Sequence, residues 1–196
     1  MRNLLSTFLL LAASMAARAA PPDSLRARPW YVPHHALGQF AGGQGLVALG
    51  LGYTHRRLDL DVLAGYVPGR FSITPMGIYT LKATFSPWQL PLGTSRWQLR
   101  PLSTGGMVSH TASAGFNKTR DSKYEPGYYW WSAHTRLAGF VGGRLAYRLA
   151  GPRPRYASLY YELGTNDLYL TSIWHNMGQL PLASILTLGV GVKIDL

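Results

Sequence analysis

The chain has no cysteine, which excludes disulfides, lipid attachment through sulfur and thiolate metal sites. Beyond its first twenty residues it has no apolar run approaching about 18 residues, so helical membrane spans are excluded too. Acids are scarce: 8 Asp and Glu stand against 19 Lys and Arg, a formal charge of +11. Such a balance often marks nucleic-acid binding. Here, however, the basic side chains are scattered over Arg56, Arg57, Arg70, Arg96, Arg100, Lys118, Arg120, Lys123 and the Gly151–Arg155 turn. They form no stripe and no nucleic-acid motif, so no nucleic-acid partner is expected. Anionic lipid headgroups and lipopolysaccharide phosphates suit an exported basic chain better. The six histidines, His34, His35, His55, His110, His134 and His175, show no HExxH or comparable ligand spacing, so neither metal nor cofactor is expected. His34 and His35 fall near a strand end and are expected at an interface.

What is present begins with an export signal. Arg2, the apolar run Leu4 to Ala13 and Ala17-Arg18-Ala19 supply a positive start, a hydrophobic core and a small-x-small cleavage pattern. Residues 1–19 are therefore expected to be removed. Residues 20–33, with Pro21, Pro22, Pro29 and Pro33, form an irregular lead-in, and residues 34–196 form the folded domain.

That domain is written in a period of two. In Gly45–His55, Val47, Leu49, Leu51 and Tyr53 share one face while Ala48, Gly50, Gly52 and Thr54 share the other. Arg57–Val67 sets Leu58, Leu60, Val62, Ala64 and Tyr66 against Asp59, Asp61 and Leu63. Ile78–Trp88 sets Tyr79, Leu81, Ala83 and Phe85 against Thr80, Lys82 and Thr84. Ser132–Leu149 places Leu137, Val141, Leu145 and Tyr147 opposite Arg136, Phe140 and Arg144. Tyr156–Gly164 places Leu159 and Tyr161 opposite Ser158, Tyr160 and Glu162. The final stretch, Leu182–Leu196, keeps Leu186, Leu188, Val190, Val192, Ile194 and Leu196 on one side and Gly189, Gly191, Lys193 and Asp195 on the other. With His34–Gly42 and a less regular Arg96–Ser109, bent near Pro101 and Gly105-Gly106, this makes eight strands; ten are possible if Ser132–Leu149 or Thr165–Pro181 contributes a further hairpin.

Segments of about ten residues, apolar outside and polar inside, with aromatic ends, are the signature of transmembrane barrels. The expected fold is an all-β, antiparallel up-and-down β-barrel in the cell outer membrane. Tyr53, Tyr66, Trp88, Tyr128, Tyr129, Trp130 and Trp131 are the expected membrane-interface aromatics. Short connections near Arg56, Leu90–Thr94 and Gly151–Pro154 fall on the periplasmic side, and longer ones at Pro68–Met76, His110–Pro126 and Thr165–Pro181 fall outside. A short strand near Leu168–Ile173 is possible. An eight-stranded barrel is filled by side chains. Asp59, Asp61, Lys82, Arg136, Arg144, Glu162, Lys193 and Asp195 are therefore expected to pair as a charge network in the lumen, because an unpaired buried charge is costly.

The ending Gly191-x-x-Ile194-x-Leu196 resembles the C-terminal assembly signal of outer-membrane barrels, with Leu196 where that pattern usually has an aromatic. Together with Gly127-Tyr-Tyr-Trp-Trp131 and Tyr160–Leu170, it makes most of the mature chain similar to small, largely uncharacterised barrel proteins of Gram-negative outer membranes. A structural, adhesive or partner-docking role carried by the long loops is the leading reading, with the barrel-assembly machinery as a partner during insertion. The resemblance itself implies fold and location. It carries no activity.

Some small barrels modify lipids. Ser132 and His134 have a nucleophile–base spacing in reversed order, and Glu162 is the available orienting acid. A lipid A or phospholipid hydrolase is thus the alternative reading, weakened by a register that points these residues inward, away from acyl chains. A narrow small-solute pore is the third.

Overall fold

The computed structural model describes residues 29, 31–112, 134–170 and 181–196. Pro33–Asp195 forms a single compact unit built from eight long strands and one short one. The strands are β1 (His35–Ala41), β2 (Val47–His55), β3 (Leu58–Val67), β4 (Met76–Phe85), β5 (Leu90–Pro91), β6 (Trp97–Ala112), β7 (Thr135–Arg148), β8 (Tyr156–Asn166) and β9 (Thr187–Asp195). Each long strand pairs antiparallel with its neighbours in sequence, β5 adding only two rungs to β6. The sheet closes on itself because β1 also pairs with β9 over seven rungs, from His35↔Asp195 to Ala41↔Gly189. β4 meets β6 directly from Gly77↔Ala112 to Phe85↔Thr104. The fold is an eight-stranded antiparallel barrel, and none of the eight long strands is left as an open edge.

The two ends of the barrel differ. At one end, called here the turn end, β2 and β3 are joined by Arg56 and Arg57 alone, and residues 149–155 join β7 to β8. At the opposite loop end the connections span 42–46, 68–75, 113–134 and 167–186. The β6–β7 hairpin, sixteen and fourteen residues long, is the tall side of the barrel, while β1 has seven residues.

Three local departures from the period-two reading have physical causes. The strand read over Leu182–Leu196 starts later, at Thr187, because Leu182–Ile185 is a 3-10 turn. The Pro181 carbonyl accepts from both the amide and the hydroxyl of Ser184, at 3.0 and 2.7 Å, which holds the chain in the turn. In β6 the register slips between Arg100 and Ser103. Pro101 has no N–H to give the ladder, and a bulge accommodates it. Residues 167–170, which begin the possible short strand after β8, form a single helical turn. Residues 171–173 lie outside the described residues.

The distribution of side chains is inverted relative to a soluble domain. Leu49, Leu60, Val62, Leu81, Val141, Leu159 and Leu188 are each about half exposed on the outer wall. The largest fully buried side chains are instead Lys82, Leu63, His35, Gln39, Gln44, Asp59 and Asp61. Asp61 is 0 % exposed, Lys82 1 % and Lys193 3 %. Alternation along each strand produces this split, since successive residues point to opposite sides of the wall.

Candidate functional site

The lumen holds the densest chemistry among the described residues. β3 contributes Asp59 and Asp61, β4 Lys82, β7 Arg144, β8 Glu162 and β9 Lys193, all from inward positions. Lys193 Nζ donates to Asp59 Oδ2 at 3.0 Å and lies 3.3 Å from Asp61 Oδ2. Arg144 Nη2 donates to Asp59, whose Oδ1 also accepts from Thr54 Oγ1 at 2.8 Å. Lys82 Nζ donates to Glu162 Oε1 at 2.9 Å and to Gln39 Oε1 at 3.2 Å, and lies 4.0 Å from Asp61 Oδ2. These three acids and three bases balance, as isolated charges buried this deeply could not.

Polar and aromatic neighbours complete the packing. The Tyr160 hydroxyl donates to Gln39 Oε1 at 2.9 Å. The Lys82 ammonium sits 5.0 Å from the Tyr160 ring centre and 5.7 Å from that of Phe140, within cation–π range. Towards the loop end, Gln44 folds in from the β1–β2 turn and is 0 % exposed, with Nε2 3.3 Å from Met107 Sδ. Ala41, Gly42, Gly43 and Gly45 all have positive φ in that turn, which lets five residues reverse the chain and still carry Gln44 into the barrel. A cavity of about 10 Å³ is left between Lys82, Ser103, Arg144, Tyr160, Glu162 and Lys193, enough for roughly one water.

Two glycines set the positions of these groups. A Cβ on Gly52 would coincide with Asp61 Oδ1 and His35 Nε2, and one on Gly191 would enter the Tyr160 ring. Small residues on β2 and β9 thus make room for the carboxylate and the phenol opposite them.

Not every expected network member joins the cluster. Arg136 lies towards the loop end, 3.7 Å from Asp167. Asp195 lies at the turn end, where its Oδ2 accepts from the Tyr156 amide at 3.0 Å. His35 is a correction in the other direction. Expected at an interface, it is 1 % exposed inside the barrel, with Nε2 2.6 Å from Asp61 Oδ1 and Nδ1 3.1 Å from Thr54 Oγ1. Its phase along β1, two residues before Leu37 and four before Gln39, was the available signal; the neighbouring His34 pair and Pro33 obscured it. His34 instead packs edge-on against Tyr53, with ring centres 5.6 Å apart.

The expected hydrolytic trio does not assemble. Glu162 is held by Lys82 opposite Gly142 of β7. His134 precedes β7, eight residues from Gly142, roughly 26 Å of strand away. It stacks on His110, with ring centres 6.0 Å apart, at the loop end of the β6–β7 hairpin. Glu162 therefore cannot orient His134, and Ser132 lies outside the described residues. Of the interface aromatics, Tyr53, Tyr66 and Trp88 are exposed on the outside; Tyr128, Tyr129, Trp130 and Trp131 lie outside the described residues. Gly191 and Ile194 lie in β9, and Leu196 follows its last residue. Among the described residues, no group of three or more His, Asp or Glu side chains could hold a metal ion.

The site is chemically an ion-paired plug: most of its donors and acceptors are engaged with one another, while among the described residues the buried Gln44 Oε1 and Glu162 Oε2 have no hydrogen-bond partner. No family model, curated protein or solved structure matches the chain.

Proposed function

We propose that this chain is an integral outer-membrane β-barrel with a closed, ion-paired lumen. Its task is structural, adhesive or partner-docking and is carried by the loop-end connections. The observation that carries the reading is the inversion of polarity. An outer wall of half-exposed Leu, Val, Tyr and Phe around a core of buried Asp, Lys, Arg and Gln suits acyl chains outside, and exposed apolar area of this extent is unfavourable in water. The short-turn end then faces the periplasm and the loop end faces outward, where it meets lipopolysaccharide.

The test is expression of the full chain in a Gram-negative host. The expected result is a mature protein in the outer-membrane fraction. It should require detergent for extraction, migrate faster unboiled than boiled on a denaturing gel, and give no steady conductance in planar bilayers. A mature protein soluble without detergent refutes the membrane reading, and ohmic single-channel steps refute the closed lumen.

A further inference from the structure

The lumen's balanced charges leave the chain's basic excess on its surface, and among the described residues much of it collects at one end. Arg56 and Arg57 form the β2–β3 turn, Arg96 precedes β6, Arg148 ends β7, and Arg153 and Arg155 lie in the β7–β8 connection. The described acids nearest this end are Asp195, engaged with the Tyr156 amide, and Asp59, which is buried in the lumen and taken by Arg144 and Lys193. Among the described residues, none of Arg56, Arg57, Arg96, Arg148 or Arg155 makes an ion pair. Five of these guanidinium groups thus stand at one rim without an internal ion pair, which is unfavourable unless an external anion meets them.

Two further observations say what that anion is. First, the arginines sit one rung beyond an aromatic rung. Trp97 pairs with Tyr147, their rings edge-on at 4.9 Å, and the next backbone bond runs from the Arg148 amide to the Arg96 carbonyl at 2.8 Å. Tyr53, Phe85 and Trp88 are exposed at the same end. Tryptophan and tyrosine settle at headgroup depth, which puts guanidinium groups about 3.3 Å further out, at the level of the phosphates. Second, Arg56 occupies a φ of +56°, a region that disfavours side chains by roughly 1–2 kcal/mol and that tight hairpins usually give to Gly or Asn. Exposed in that turn, Arg56 presents its guanidinium at the rim.

We infer that the turn-end rim is a binding belt for the phosphates of anionic phospholipids, in the leaflet that the short turns face. Planar guanidinium groups grip phosphate oxygens two at a time. The inference rests on the outer-membrane reading above. The Arg96, Arg148 and Arg155 group is its centre, because backbone bonds Arg148 N to Arg96 O and Leu149 N to Arg155 O hold the three strand ends together.

The test uses the full mature chain, refolded in dodecylmaltoside and mixed with equimolar phosphatidylglycerol and phosphatidylcholine. Retained lipid is then counted by native mass spectrometry. Wild-type protein should retain phosphatidylglycerol preferentially. The preference ratio should fall about fivefold for each arginine removed in R96Q, R148Q and R155Q and fall less in the corresponding lysine variants, which keep the charge but not the two-pronged grip. R70Q, at the loop end, should leave it unchanged, and unboiled gel mobility should show that every variant is folded. Equal retention of the two lipids, a loss with R70Q matching that of the turn-end variants, or displacement of the lipid by equimolar inorganic phosphate overturns the belt. A barrel that inserts into pure phosphatidylcholine vesicles without preferring phosphatidylglycerol overturns the belt alone. A chain that stays soluble and binds no lipid overturns the membrane reading itself.

Discussion

Replacing Asp61 by Asn keeps the shape of the side chain and removes one of the lumen's three anions. Asp61 is 0 % exposed and faces His35 Nε2 at 2.6 Å, Lys193 Nζ at 3.3 Å and Lys82 Nζ at 4.0 Å. The substitution leaves three cations facing two anions in a space with room for about one water. Breaking one side of a buried pair in this way costs about 3–5 kcal/mol. The reciprocal change, Lys193→Met, replaces the ammonium by an apolar chain of similar length and leaves three anions facing two cations, with a cost in the same range. The double variant Asp61→Asn/Lys193→Met restores neutrality. It should therefore be more stable than the sum of the single effects predicts, by up to about 3 kcal/mol. Reversible urea unfolding in lipid vesicles, followed by tryptophan fluorescence and by unboiled gel mobility, gives the four free energies of this cycle. Additivity within about 0.5 kcal/mol would refute the reasoning, because it would mean that each charge is solvated on its own, as in a water-filled channel.

Other consequences are open to the same unfolding assay. Gly52→Ala puts a methyl group where Asp61 Oδ1 and His35 Nε2 stand and should cost about 1–3 kcal/mol, whereas Gly77→Ala, whose Cβ would meet only the Ala112 carbonyl at 3.9 Å, should cost less than about 1 kcal/mol; equal costs would remove the packing argument. Val62→Arg, on the outer wall in mid-strand, should destabilise by about 2–4 kcal/mol in bilayers, and a neutral result would mean that this face does not meet acyl chains. Arg56→Gly should relieve the positive φ and stabilise the fold by up to about 1 kcal/mol while weakening phosphatidylglycerol retention, two changes of opposite benefit that a purely structural turn would not show together.

The fold was legible because its signal is repeated. One alternating segment could be a strand in many settings, but β2, β3, β4, β7 and β8 all place Leu, Val or Tyr on one face and Asp, Lys, Arg or Gly on the other. The phase of each segment alone assigns Asp59, Asp61, Lys82, Arg144, Glu162 and Lys193 to one side of the wall. What alternation does not give is height along the barrel. Arg136 and Arg144 share a face of β7, yet only Arg144 reaches Asp59, because the stagger between strands decides which rungs stand level. The same missing coordinate let Glu162 be set beside His134, some 26 Å away along the strand. Gln44 was hidden for another reason: turn chemistry predicts that Gly42-Gly43-Gln44-Gly45 reverses the chain, but not that the turn folds its one long side chain inward. The strand boundary at Thr187 shifted because Pro181 and Ser184 nucleate a local turn that outweighs the alternating pattern.

The seam between β1 and β9 couples the wall to its interior. β9 brings both the seven rungs that close the wall and the ammonium group that meets Asp59 and Asp61, more than 130 residues earlier in sequence. Closing the wall and neutralising the interior are therefore a single step. A sheet lacking β9 is not a smaller barrel: it has two raw edges and an acidic pair without the Lys193 ammonium.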